Sequence, residues 1–455
     1  MALGKRKREE QGLWVATTEL PSSPGHPFYR KLNEVLGEAE FDSFVETLCA
    51  PHYADRIGRP GIPPGVYFRM LFIGYLEGLD SQRAIAWRCS DSRSLQEFLG
   101  IPLTEKTPDH SSLTVIRKRL PLVVHEQVFA LVLRIAREKR LLSGKTTAVD
   151  STTIEANAAM KTIVRRDNRD DWKAYLTKLA AEAGLENPTD EELRKFDRGR
   201  RGKKVSNQEW VSSTDPDSRI AKMKDGTTHL AYKTEHAVDL GSDLILAATV
   251  HTADQGDSQT LPATLTTAQT NLLMAGCETE IKEVVADKGY QSDETLAWCQ
   301  SFGIRTYIPE RESRHRRRWS NKPAGHKGAV YGNRRRVRRS RGRKLNRLRS
   351  EYTERTFAHV CETGGGRRSW LRGLIKVTKR YLMHVAGRNL GVIMRALFGI
   401  GTPRSLQAPC GPVPAQNPGL WGPFLDMLRC WMHKWTIMIH SSGSGVADSR
   451  HLLAA

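Results

Sequence analysis

The 455-residue chain contains no apolar run approaching the ~18–20 residues that cross a bilayer, so membrane-spanning functions have no support. Cysteine is sparse. Cys49, Cys89, Cys277, Cys299, Cys361, Cys410 and Cys430 are scattered, odd in number and without a CxxC pair, which argues against a disulfide scaffold and a zinc ribbon. No GxxxxGK[ST] loop is present to cradle phosphates, so a nucleotide hydrolase has no support either. The opening MALGKRKREEQ has basic residues but no apolar stretch behind them. No secretory signal is therefore expected, and a cytoplasmic location is. Aromatic-rich RNA-binding signatures are also missing, which makes an RNA-binding role the weakest of the nucleic-acid readings. The 39% apolar share still suffices for a core in each of the two to four domains that this length suggests.

Acid is short relative to base. Fifty Asp+Glu stand against 71 Lys+Arg, a formal charge of +21 that points to a polyanionic partner. The excess is local: residues 305–349 hold 18 Lys+Arg and two acids, and so +16 of the total. Arg316, Arg317, Arg318, Arg334, Arg335, Arg336, Arg338, Arg339 and Arg349 belong to this stretch. A charge run of this kind is often a solvated linker. With Trp319, Tyr331 and several glycines interspersed, it also suits a strap along a nucleic-acid backbone, where arginines neutralise phosphates and release counterions.

Residues 1–26 read as a flexible N-terminus. Apolar residues at helical spacing (Phe68, Leu71, Tyr75 and Leu79) and the apolar run 128–139 predict a helical domain over 27–140. Such a domain is either a DNA reader or an ordinary small bundle. Residues 141–398 change texture to an α/β pattern, with a charged, turn-rich insertion at 155–225 and the basic strap at 305–349. Thr146-Thr147-Ala148-Val149-Asp150 and Glu283-Val284-Val285-Ala286-Asp287 are short strands that each end in an acid. The Gly/Pro/Ser-rich tail, 399–455, has no assignable role.

Those two acids are the main chemical clue. An α/β sheet aligns its strand ends along one crevice. If the two strands are neighbours, Asp150 and Asp287 could share hard divalent cations, which prefer oxygen ligands. Two such ions can clamp the attacking and leaving oxygens of a phosphoryl transfer. Glu354, on a helix that follows the strap, is a candidate third acid. Lys288 follows Asp287 directly and is a candidate partner for that carboxylate or for a DNA phosphate. Asp215, Asp217, Asp239 and Asp257 read as structural or turn residues, and Asp109 with His110 as a helix cap.

Several short motifs, in order, carry a resemblance. They are Pro108-Asp109-His110-Ser111-Ser112-Leu113, Ala148-Val149-Asp150-Ser151-Thr152, Thr214-Asp215-Pro216-Asp217, Ala286-Asp287-Lys288-Gly289-Tyr290, Glu354-Arg355-Thr356-Phe357-Ala358-His359, and Leu371-Arg372-Gly373 followed by Asn389-Leu390. From about residue 27 to 404 the chain resembles the DDE transposases of bacterial insertion sequences. The resemblance implies an RNase H-like mixed sheet with flanking helices behind an all-helical N-terminal domain. It also implies two Mg²⁺ (or Mn²⁺) ions held by Asp150, Asp287 and Glu354, and cleavage and joining of double-stranded DNA at element ends. A homo-oligomer on paired ends is the implied assembly. Ser350 and Cys361 stand where the family often has Arg and Lys around its Glu. Glu351, one turn before Glu354 on the same face, is the rival third acid. An inactive DNA-binding regulator and a metal-dependent nuclease that does not join strands are the alternative functions.

Overall fold

The computed structural model describes residues 16, 25–54, 61–185, 187–200, 206–223, 226–312 and 319–406. The expectations for most of residues 1–26, for Arg316, Arg317 and Arg318, and for the tail beyond 406 lie outside these residues. Helices come first: α1 (Pro27–Glu38), α2 (Phe41–Cys49), α3 (Pro64–Leu76), α4 (Gln82–Asp91), α5 (Arg93–Leu99), α6 (His110–Arg119) and α7 (Leu122–Glu138). Local chemistry sets their starts. Pro64 occupies the first turn of α3, where a missing N–H costs nothing. The side chains of Ser81, Ser92 and Asp109 accept from Ala84 N, Leu95 N and Ser111 N and so cap α4, α5 and α6. Buried Phe68, Phe72, Val128 and Leu133 are among the residues that join α3 and α7 in a common core.

The strands are β1 (Thr146–Glu155), β2 (Ile163–Arg165), β3 (Trp210–Ser212), β4 (Arg219–Lys222), β5 (Thr228–Asp239), β6 (Ile245–Thr252), β7 (Glu283–Ala286) and β8 (Arg305–Tyr307). Six of them form one mixed sheet. β1 lies antiparallel to β5 and parallel to β7, β8 lies parallel to β7, and β4 and β6 both pair with β5. The short pair β2–β3 stands apart, together with α8 (Trp172–Glu182) and α9 (Asp190–Gly199). This segment has its own small core of Leu176, Ala180 and Leu193.

Helices cover both faces of the large sheet. Val149 and Ala286 point to one face, with Leu261 and Leu265 of α10 (Asp257–Met274) and Leu296 of α11 (Asp293–Ser301). Ala148 and Val238 point to the other, where they share a core with the N-terminal helices and with Leu382 and Val385 of α14 (Leu374–Phe398). The strand alternation of two and the helix repeat of 3.6 place these residues on their faces. The mixed sheet with flanking helices is the architecture that the resemblance implied.

The basic strap departs from expectation. Residues read as a loop along DNA are largely two helices, α12 (His326–Arg338) and α13 (Ser340–Phe357). No proline interrupts residues 324–402, and arginine and lysine are good helix formers. Buried Ala329, Val330 and Leu345 dock the two helices on the sheet layer. Glu283 of β7 ties α13 down further, accepting from Arg341 Nη2 at 2.5 Å.

Candidate active site

Asp150 and Asp287 are neighbours because of one register. In the parallel pair β1–β7, Val149 lies opposite Ala286, so the next residue on each strand is an aspartate. Adjacent strands run ~4.8 Å apart, which sets the two aspartates side by side at the C-terminal end of β7, between two interior strands of the sheet. The Asp287 side chain turns back to accept from Gly289 N at 2.7 Å and caps the tight turn Lys288–Tyr290. Arg311 pins the outside of that turn, donating to the carbonyls of Lys288 (3.1 Å) and Gly289 (2.7 Å). Lys288 itself is exposed.

Asp150 is held from three sides. Ser151 N donates to Oδ1 at 2.8 Å, and Arg349 Nη1 (2.8 Å) and Thr353 Oγ1 (3.1 Å) donate to Oδ2. Burial pushes its pKa up, the Arg349 guanidinium opposes that, and the nearby negative charge of Asp287 adds to it. Two like charges this close favour a cation between them. Hard divalent ions take oxygen donors, and Mg²⁺ typically one or two carboxylates. The Asp150–Asp287 pair fits such an ion.

Glu354 does not join them. Arg349 and Thr353, four residues apart, form the face of α13 that meets Asp150. Glu354 lies about 100° further round, exposed, and its carboxylate makes no hydrogen bond or ion pair among the described residues. Glu351 lies roughly opposite the Asp150-facing side, where it accepts from Arg355 Nη2 at 2.8 Å. Among the described residues, no group of three or more His, Cys, Asp or Glu side chains is disposed to hold a metal.

The site also contains a residue read from sequence as structural. Asp257, at the start of α10, accepts from Ser151 Oγ at 3.0 Å and pairs with buried Lys233 at 2.7 Å. Lys233 also lies 3.3 Å from fully buried Glu235, which accepts from Tyr290 OH at 2.8 Å. Gly289 separates Asp257 from Asp287. A Cβ there would fall 2.5 Å from Asp257 Oδ2 and 2.8 Å from Asp287 Oδ1. The sequence carried no signal for Asp257 or Thr353, since their roles depend on which elements pack together. Asp215, by contrast, accepts from Tyr232 OH and Gly373 N, and Asp217 from Leu374 N, anchoring the segment before α14. Asp239 ties together the turn after β5, accepting from Ser143 N and Gly241 N.

The arginines assigned to DNA divide into two groups. Arg349 is bound to Asp150 instead of facing outward. Arg334 pairs with Glu310 at 3.0 Å, and Arg336 donates to Thr306 O at 2.9 Å. Arg335, Arg338 and Arg339 are exposed and have no side-chain partner among the described residues.

No helix among the described residues is long and apolar enough to cross a membrane. None of the curated proteins matches the chain. Two family models do. The transposase domain DUF772 covers residues 18–119, and the transposase DDE domain covers residues 143–390, more than half of the chain and all of the sheet with both aspartates. The chain belongs to the DDE transposases, and its mixed sheet is the RNase H-like fold of that family.

Proposed function

We propose that this transposase binds the ends of its insertion element as double-stranded DNA, cuts a strand there, and joins the freed 3′-OH to a target strand. The observation that carries the reading is the β1–β7 register, which sets Asp150 and Asp287 side by side in a chain of this family. Asp150 and Asp287 would hold divalent metal, Mg²⁺ or Mn²⁺ and two ions in the full reading. Metal held there supplies Lewis-acid activation of the phosphodiester and of the attacking oxygen. Glu354 is the third acid in this proposal. Its carboxylate has no partner among the described residues and sits one residue from Thr353, which touches Asp150.

The chain's own residues orient the chemistry. Ser151 N and Thr353 Oγ1 fix the Asp150 carboxylate, and Gly289 N fixes that of Asp287. Exposed Arg335, Arg338 and Arg339 present cations to the DNA backbone, as does Lys288 beside Asp287. The protein acts as a homo-oligomer that pairs two ends. The test is incubation of purified protein with end-containing DNA, target plasmid and Mg²⁺. Nicked ends plus a strand-transfer product are expected. Nicking without transfer would leave only a nuclease, and binding without nicking only a regulator.

A further inference from the structure

A cavity of about 230 Å³ lies where α3, α4 and α6 meet α14. It is lined by an unusual set of cations. Arg117 of α6 is only 9% exposed, its Nε is buried without a partner, and its guanidinium makes no hydrogen bond or ion pair among the described residues. Lys379 of α14 is 6% exposed, and among the described residues its ammonium reaches only the carbonyls of Arg117 (3.1 Å) and Leu120 (2.6 Å). Arg380 donates to three more carbonyls, those of Arg368, Asp80 and Gly365, each at 3.0 Å. The one acid in the lining, Asp80, is exposed and makes no ion pair within 4 Å among the described residues; its charge offsets only part of the burial of Arg380.

Burial lowers the pKa of Arg117 and Lys379, and brings Arg380 down to about 10, so Arg380 remains charged at neutral pH. Burial also holds His125 at about 4 and His384 well below its ordinary value, so these lining histidines are neutral. Charges buried without a counter-ion are costly, and an anion relieves the cost. Much of the remaining wall is apolar, with Leu71 and Leu79 partly exposed and Trp370 half-exposed, and Ser81, Gln82, Arg83 and His110 add polar groups to it.

We propose that this cavity binds the phosphate of a nucleotide, with the anion on Arg117 and Lys379 and the base against Leu71, Leu79 and the exposed Trp370 ring. Guanidinium and ammonium groups recognise phosphate strongly when desolvated, and aromatic faces stack any base. A free nucleotide and the 5′ end of a strand present the same phosphate chemistry, and the probes below distinguish the two sources. The proposal does not depend on the cleavage reading, because none of these residues belongs to the Asp150–Asp287 site.

Calorimetry and thermal melting of the full chain test it, with deoxyadenosine monophosphate, deoxyadenosine, inorganic phosphate and a short 5′-phosphorylated oligonucleotide as probes. The monophosphate is expected to bind and raise Tm, phosphate to do so more weakly, and the nucleoside not at all. Arg117→Met and Lys379→Met should each weaken monophosphate binding at least tenfold. Arg117→Met should melt no lower than wild type without ligand, since it removes a buried charge with no ion-pair partner among the described residues, so loss of binding cannot be ascribed to misfolding. If the variants weaken binding of the oligonucleotide alone, a strand end is the source and the site stands. Monophosphate and oligonucleotide both binding wild type and the two variants equally, or neither binding wild type, would overturn it.

Discussion

Arg349 and Asp150, 199 residues apart in sequence, form an ion pair of 2.8 Å across the face where α13 meets β1. The carboxylate oxygen that receives the guanidinium is the one Thr353 also reaches, so Arg349 stands where a cation would be held. Removing it leaves a largely buried carboxylate without its counter-charge. Arg349→Met should lower the Tm of metal-free protein, by about 1–2 kcal/mol of stability once solvent screening at a partly open site is allowed for. Mg²⁺ or Mn²⁺ should restore that loss. The expected result is a larger metal-induced rise in Tm for the variant than for wild type. Equal rises would separate Asp150 from metal binding.

Asp287→Asn and Asp150→Asn should abolish Mg²⁺-dependent nicking, a loss of about a thousandfold or more on the scale of removing a principal catalytic group. Neither should unfold the protein: Asp287→Asn removes one of two repelling charges, and in Asp150→Asn the same relief offsets part of the lost ion pair with Arg349. Nicking assays and melting curves on the same preparations check both halves of this expectation.

Gly289→Ala adds one methyl group where no space exists. The new carbon would meet Asp257 Oδ2 at 2.5 Å and Asp287 Oδ1 at 2.8 Å. Neither carboxylate can keep its position, and the overpacking should cost about 1–3 kcal/mol. Cleavage should fall with it. A denaturant midpoint close to wild type together with full activity would show that the turn yields without cost.

Glu354→Gln should stop cutting, whereas Glu351→Gln should not. Glu351 is occupied in an exposed pair with Arg355, worth a few tenths of a kcal/mol. Side-by-side assays of the two variants decide the third acid. Loss of cutting in Glu351→Gln alone would assign the role to that residue.

Stability should fall with acid through a route unrelated to the carboxylates. His236 is fully buried, stacked 4.2 Å from Phe357 and hydrogen-bonded to Tyr381 OH at 2.8 Å, and burial holds its pKa near 3. His125 is held at about 4, and His384 is also lowered. All three remain neutral in the folded protein while the unfolded chain protonates below about 6.5. Their contribution is therefore complete above pH 6.5 and is lost as pH falls from there, down to about 4 for His125 and about 3 for His236. Each should cost about 1.4 kcal/mol per pH unit once well below 6.5. Burial lowers His26, His251 and His359 as well, so urea midpoints at pH 7.5 and 5.5 measure the sum over all of them, and His236→Gln should reduce the slope without abolishing it.

The strand-ending acids were legible because β-branched and apolar runs announce strands, and because a polar residue at the end of such a run stands out. Their adjacency was conditional in sequence, since strand order depends on contacts between segments more than a hundred residues apart. The helices around the strap were hidden by charge. An arginine run resembles a solvated loop until the buried Ala329, Val330 and Leu345 are seen to dock it. Which side of α13 meets Asp150 was not readable either. Sequence spacing relates Glu351 and Glu354 to one another, but only packing shows that Arg349 and Thr353 take the inward positions. Asp257 acquires its place through Ser151 and Gly289, two residues with no sequence signal toward it.

The pairing of Val149 with Ala286 has a consequence for how damage to this protein would register in an assay. Side chains alternate along a strand, so a slip of one residue between β1 and β7 turns an aspartate to the opposite face. No half-slipped sheet exists. Substitutions that weaken the β1–β7 contact should therefore reduce the proportion of molecules competent to cut while each competent molecule turns over at its normal rate. Active-site titration would fall as the per-site rate held constant.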